Sequence, residues 1–377
     1  MRATLHARPG ALAAPARGLR GSAARRSSSP ARPAHRPRAS ADDAAASPPA
    51  SPSSASAPPA PPRLACPICL RPFPNPASLT CDRCSRSFPL ERGVANLCLD
   101  AGGASGAYKE PGLGKSGTTL FQSDLIAGAY ENGWRQSFAW AGFPGEEIEA
   151  GYALDFMRDA GCVGGAVLDV SCGSGLFARR FARSRAFSRV VASDFSESML
   201  RTARELCEKD ADVDVADGIA FETRDAADSS SGFDDATRSI NTVVSFVRAD
   251  VGRLPFASGS VDAVHAGAAM HCWPSPSAAV AEIARVLRPG GVFVASTFLD
   301  PSAMLEDAMG GENDLTGGLS ALIRESGAGT GGAFNQFWSE RELRDLVVGM
   351  CALTEFRRRR ERQFIMFSAR KPGGDVA

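Results

Sequence analysis

The sequence predicts an α/β fold, a doubly wound and mostly parallel sheet of seven strands with helices on both faces. Three observations predict it. Short apolar runs alternate with helically spaced segments between residues 123 and 370, the pattern of successive βα units. The apolar run Val167–Val170 passes directly into a glycine turn, Cys172-Gly-Ser-Gly175, and a helix from Leu176. A second run, Arg189-Val-Val-Ala-Ser193, ends on an acid, Asp194.

Before this region the chain changes character. Residues 1–40 hold nine Arg and no Asp or Glu, with no apolar core of secretory type, so residues 1–62 read as an organelle transit peptide. A permanently disordered basic tail is the other reading of that composition. The whole chain has 42 basic and 42 acidic residues, and losing the nine Arg leaves 33 against 42, a net charge of −9. That balance disfavours long-range attraction to nucleic acid without excluding a local basic patch. No apolar run approaches the ~18 residues of a membrane span, so a soluble or peripherally attached monomer is expected.

Residues 63–98 hold Cys66-Pro-Ile-Cys69 and Cys81-Asp-Arg-Cys84, two C-x2-C pairs eleven residues apart. This spacing suits a structural tetrahedral Zn2+ site of four thiolates. Pro72, Pro74, Asn75 and Pro76 read as turns between tiny strands, and so small a segment is expected to need the metal in place of a core. Disulfides and a ribbon that has lost its metal are the other readings. The other cysteines, 98, 162, 172, 207, 272 and 351, show no paired spacing and read as small core residues.

Residues 99–122 read as a linker. Gly112-Leu-Gly-Lys-Ser116 within it fails as a phosphate loop, because position 109 is Lys and no strand precedes it. Leu125, Ile126, Ala129 and Tyr130 recur at helical spacing, with Trp134, Phe138 and Trp140 on or after that helix. Further strands are expected at 243–249, 261–267, 291–297, 354–358 and 363–369, and helices near 196–208, 277–287 and 339–349. Residues 208–242 carry ten acidic and three basic residues, which reads as an exposed acidic insertion. Arg357–Arg360 reads as a solvated face of an edge strand, with RNA or anionic lipid contact as the other reading. Residues 371–377 form a tail.

A strand, a glycine turn and a helix N-terminus bring backbone N–H groups and a positive dipole end together, which suits a carboxylate or phosphate. The dinucleotide pattern is not completed, since position 178 is Ala. Asp194 stands where a carboxylate accepts hydrogen bonds from both ribose hydroxyls. It is otherwise a helix N-cap, although Ser196 fills that position more naturally and leaves the carboxylate free.

The run Val167-Leu-Asp-Val-Ser-Cys-Gly-Ser-Gly175 resembles the first motif of the Rossmann-like class I S-adenosylmethionine methyltransferases. The resemblance continues through Val247-Arg-Ala-Asp250, Leu254-Pro-Phe256, Ser260–Val264 and Glu282–Gly291, each in the family's order, from about residue 124 to 370. With Gly133-Trp-Arg-Gln136 and His271-Cys-Trp273, it is nearest to plastid-targeted members of plants and algae. The cysteine module resembles the ribbon of bacterial guanine methyltransferases acting on large ribosomal RNA. Ser171 departs from the family's usual Gly, and a Ser fits that turn if its φ stays negative.

The resemblance implies S-adenosylmethionine as cofactor and an antiparallel edge made by the last two strands. It also implies a set of roles. Asp169 serves the cofactor's amino end, Ser171, Gly173 and Gly175 let backbone approach its methionine part, and Asp194 holds the ribose. Phe195 flanks adenine, Asp250 and the Val251 backbone read its amino edge, and Gly267 belongs to the cofactor-binding set. Methyl transfer is an in-line displacement, so the protein mainly holds donor and acceptor at about 3–3.5 Å.

His271, just past the fourth strand, is placed to accept a proton, or else lines an apolar pocket with Cys272 and Trp273. His265 reads as a packed residue. The Asn-Pro-Pro-aromatic motif of amino-directed nucleic-acid methyltransferases is absent, the chain reading Ala268-Ala-Met-His-Cys-Trp-Pro274. Three functions follow: a plastid (or mitochondrial) enzyme methylating a small lipophilic acceptor such as a quinone or isoprenoid-linked metabolite; a ribosomal RNA base methyltransferase that engages RNA through the ribbon; and a non-catalytic cofactor-binding protein.

Overall fold

The computed structural model describes residues 62–75, 77–99, 135–216, 242–300 and 337–373. The basic N-terminal segment, the linker after Leu99, the helix expected at 125–130 and residues 217–241 of the acidic insertion lie outside them.

The cysteine module contributes β1 (Thr80–Cys81), β2 (Arg86–Ser87), β3 (Leu90–Glu91) and β4 (Val94–Asn96). The main domain follows with α1 (Glu146–Asp159), β5 (Ala166–Val170), α2 (Leu176–Arg183), β6 (Arg189–Asp194), α3 (Glu197–Glu208) and β7 (Asp214–Val215). After these come β8 (Val243–Arg248), β9 (Val261–Gly267), α4 (Pro276–Val286), β10 (Leu287–Phe298), α5 (Glu340–Arg344), β11 (Thr354–Glu361) and β12 (Phe364–Arg370). A π-helical segment, Asp345–Met350, continues α5.

The sheet runs β11-β12-β10-β9-β5-β6-β8-β4-β3, with β7 also paired to β8. β5, β6, β8, β9 and β10 are parallel, and β12 and β11 close one edge antiparallel. The expected seven strands are therefore present, but the sheet has ten. The reason lies at the other edge. β4 pairs in parallel with Phe246–Arg248 and β7 with Val243–Val244, so both short strands satisfy the outer hydrogen-bonding groups of β8.

Both faces of the central strands are buried, which explains their continuous apolar runs. Val167, Val190 and Phe246 pack with Phe177, Phe181 and Leu200 of α2 and α3 on one face. Leu168, Val264 and Phe293 pack with Val280 and Ile283 of α4 on the other. Leu64, Phe73, Leu79, Phe88 and Leu97 of the cysteine module belong to that second core. The module thus shares apolar packing with the main domain, against the expectation that a metal would replace a core there.

Asp262 ties the sheet's lower edge together. It is 2% exposed, and its carboxylate accepts from Ala166 N at 2.8 Å and Arg288 Nε at 2.6 Å. Asp262→Ala leaves a buried amide and a guanidinium without that acceptor, and a loss of about 2 kcal/mol or more is expected in urea unfolding at unchanged m. A loss below about 0.5 kcal/mol would contradict this role.

Candidate functional site: the carboxyl edge of the sheet

Beyond β5 the chain must turn sharply into α2. Gly175 makes the entry at φ +75°, and a Cβ there would meet Ala203 Cβ at 3.0 Å, so both the backbone and the close approach of α3 call for glycine. Gly173 also has positive φ. Ser171 adopts φ +53°, which corrects the expectation of a negative φ. Such a conformation costs a non-glycine residue about 1 kcal/mol. Its hydroxyl offsets part of that cost by accepting a hydrogen bond from Trp273 Nε1 at 2.9 Å. The His-Cys-Trp segment is thereby tied to the glycine turn.

Asp194, half-buried at the end of β6, accepts from Gly173 N at 2.9 Å through Oδ2 and from Ser196 N at 2.8 Å through Oδ1. Ser196 caps α3 by accepting from Met199 N at 3.2 Å. The division of labour expected between the two side chains holds for the cap, but the Asp194 carboxylate is engaged by backbone. Burial pushes its pKa up, the Ser196 and Gly173 amides pull it back, and Asp169 adds to the rise. Phe195 lies beside it, its carbonyl accepting from Arg248 Nε at 3.0 Å.

Asp169 sits deeper, 1% exposed, and its Oδ1 lies 2.8 Å from Nδ1 of His265, its register partner on β9. His265 is indeed buried, between the rings of Phe177 and Phe181. Asp169 Oδ2 has no hydrogen-bond partner among the described residues. A buried carboxylate oxygen without a donor is costly, and the amino group of an amino-acid-like ligand is the kind of donor that would satisfy it. Gly267 ends β9 where a Cβ would lie 2.6 Å from the Phe177 ring, so packing alone demands glycine there.

Asp250 follows β8, and its Oδ1 accepts from Gly252 N at 2.8 Å. Val251 is buried. Phe195 and Asp250 line one cavity of about 240 Å³ together with Pro67, Leu97, Cys98 and Leu99. Burial, opposed by Arg248 and helped by Asp250 and Asp194, pushes the Cys98 thiol up to about 12. A larger cavity, about 670 Å³, runs along α3 and β4 between four Arg and four Glu and touches none of the glycine-turn residues.

His271 is 2% exposed. Its Nδ1 lies 3.3 Å from Thr297 Oγ1 and its ring packs edge-on to Phe298. Sequence reasoning missed the neighbours: Ser296 Oγ donates to the fully buried Glu149 at 2.5 Å and accepts from Ala268 N at 2.9 Å. Glu149 stands in the acidic first turn of α1, and only its burial distinguishes it from Glu146 and Glu147. Phe138, Phe143 and Trp140 surround Phe298.

The four cysteines converge as expected. Their sulfurs all lie within 4.8 Å of one another, against a separation of about 3.8 Å for tetrahedral Zn–S bonds of about 2.3 Å. The Arg71 amide holds the Cys69 thiol down to about 7. The donor set and its spacing fit Zn2+.

The Ser171–Trp273 link gives a sharp test. Ser171→Ala keeps the strained φ and removes the indole's acceptor, so a loss of about 1–2 kcal/mol is expected. Ser171→Gly relieves the strain as it removes the same bond and is expected near neutral. Urea unfolding of both variants checks the order, and Ala as stable as Gly would contradict it.

Residues 168–295 match a family model described as a methyltransferase domain. The chain is 44% identical over 278 residues to an uncharacterized chloroplastic methyltransferase of Arabidopsis thaliana, covering 73% of this chain and 66% of the relative. It is 42% identical over 255 residues to a second from the same plant, covering 68% and 60%. A malonyl-[acyl-carrier protein] O-methyltransferase of Hahella chejuensis is 30% identical over 183 residues, covering 47% and 54%. The chain therefore spans just under two thirds, or less, of the length of each of these relatives. These matches show that residues 168–295 fit a methyltransferase domain and that 73% of the chain is similar to a chloroplastic methyltransferase of Arabidopsis thaliana.

Proposed function

We propose that the chain transfers a methyl group from S-adenosylmethionine to a small, lipophilic acceptor in the plastid. The observation that carries the cofactor side is Asp194. Its carboxylate joins the glycine turn to the head of α3, which puts an acceptor for ribose hydroxyls beside backbone N–H groups. Asp169 serves the amino end, and Phe195, Asp250 and Val251 serve the adenine. The plastid assignment rests on the two chloroplastic relatives and the basic N-terminal composition.

The acceptor side rests on the aromatic group at Phe138, Trp140, Phe143 and Phe298 beside His271. Such rings suit an apolar ring or chain more than a phosphate backbone. His271 then serves as base for the acceptor's proton, oriented by Thr297. A relative named as a malonyl-[acyl-carrier protein] O-methyltransferase supports an acyl acceptor over a nucleic acid in this domain. The arginine run adds nothing for RNA: Arg357 pairs with Asp159, Arg358 and Arg360 with Glu340, and Arg359 with Asp155.

Asp194→Ala is expected to weaken S-adenosylmethionine binding at least about tenfold by calorimetry, the worth of a charged hydrogen bond. Unchanged affinity would remove the ribose role. The ionised carboxylate is the accepting form, and burial raises its pKa. Affinity is therefore expected to fall as pH drops, starting above the ordinary carboxylate value of about 3.9, and Asp194→Asn is expected to flatten that dependence. Incubation with labelled donor and either plastid lipid extract or plastid RNA tests the acceptor, with label expected in the lipid fraction. Label in RNA would overturn the acceptor class, and donor binding with no transfer would favour a non-catalytic role.

A further inference from the structure

The cysteine module touches the methyltransferase domain at one place that matters chemically. The first knuckle, Cys66-Pro-Ile-Cys69, presents the carbonyls of its two central residues outward. Arg253 takes both, Nε donating to Pro67 O at 2.8 Å and one terminal nitrogen to Ile68 O at 2.7 Å. Arg253 lies three residues after Asp250 and closes a turn on it, its backbone N–H donating to Asp250 O at 2.9 Å. Just before the knuckle the chains pair directly: Ala65 N donates to Pro255 O and Ala257 N to Arg63 O, each at 2.8 Å.

The consequence is a shared wall. Pro67 from the knuckle and Leu97, Cys98 and Leu99, which follow the module's last strand, line the same 240 Å³ cavity as Phe195 and Asp250. A volume below the roughly 300–1,000 Å³ of a whole small-molecule site suits one ring system. Resting on the cofactor and metal readings above, we infer that the cysteine module forms the outer wall of the adenine subsite, so that metal in the four-cysteine site and S-adenosylmethionine on the sheet edge bind with positive coupling.

The physical route is short. A bound ion fixes Cys66 and Cys69, and hence the direction in which the Pro67 and Ile68 carbonyls point. Those carbonyls hold the Arg253 guanidinium and, through it, the Asp250 turn. Without the ion the knuckle gains freedom that adenine must then quench, and ordering paid for by one ligand is spared to the other. Arg253 acts as a positioning residue.

Calorimetric titration of S-adenosylmethionine into the full chain tests this, with zinc content measured on each sample and folding followed by circular dichroism. Zinc-loaded protein is expected to bind at least about tenfold more tightly than chelator-stripped protein, with affinity restored by adding Zn2+ back. Saturating S-adenosylmethionine is expected to tighten Zn2+ binding by the same factor, because coupling is reciprocal. Arg253→Ala is expected to keep its zinc and still lose affinity for the cofactor, and stripping its metal should then cost little more.

Equal affinity with and without metal in folded protein would overturn the coupling and leave the cofactor reading intact. If stripping unfolds the chain, zinc-loaded Arg253→Ala decides alone, and wild-type affinity in it overturns the inference. Absence of binding by zinc-loaded wild type would instead overturn the cofactor reading, and absence of zinc in folded protein the metal reading.

Discussion

The bond between the Asp194 carboxylate and the Gly173 amide is the constraint on which the site depends. It crosses from the end of β6 to the turn after β5, and the same carboxylate reaches the Ser196 amide at the head of α3. Two strand ends, one glycine turn and two helix starts are fixed by a single side chain. A charged acceptor is suited to that task, since hydrogen bonds to ionised groups contribute about 1.5–3 kcal/mol. Burial works against the charge and the two amides work for it, so the group is poised rather than simply paired.

Around this joint the structure adds ties that come from distant parts of the chain. Trp273 reaches back to Ser171, Ser296 links α1 to the loop after β9, and Arg253 connects the cysteine knuckle to the turn after β8. Each tie ends on the carboxyl edge of the sheet. Open α/β sheets bind ligands at that edge because strand ends and helix N-termini converge there. The additional strands β3 and β4 bring the cysteine module to the same edge, alongside β8.

The central strands and the acid at the end of β6 were legible because buried parallel strands and glycine turns leave local signatures. The four-cysteine cluster was legible for the same reason, its spacing being a local property. What sequence could not show is what depends on long-range contact. The left-handed φ at Ser171 is compensated by a residue 102 positions away, and Glu149 looks like any acid in a helix's first turn until it is found buried. The module was read as a separate unit because its turns and cysteines say nothing of Leu64, Phe73 and Leu97 joining a larger core. In the sequence Arg253 is one of many arginines in an arginine-rich chain.

Amide hydrogen exchange of the full chain with and without S-adenosylmethionine tests the central claim most directly, because it reads the turn, the acid and the adenine side in one experiment. The account predicts that the cofactor protects residues 171–176, 194–197 and 250–253 together. Protection confined to other segments, or none at saturating ligand, would contradict it.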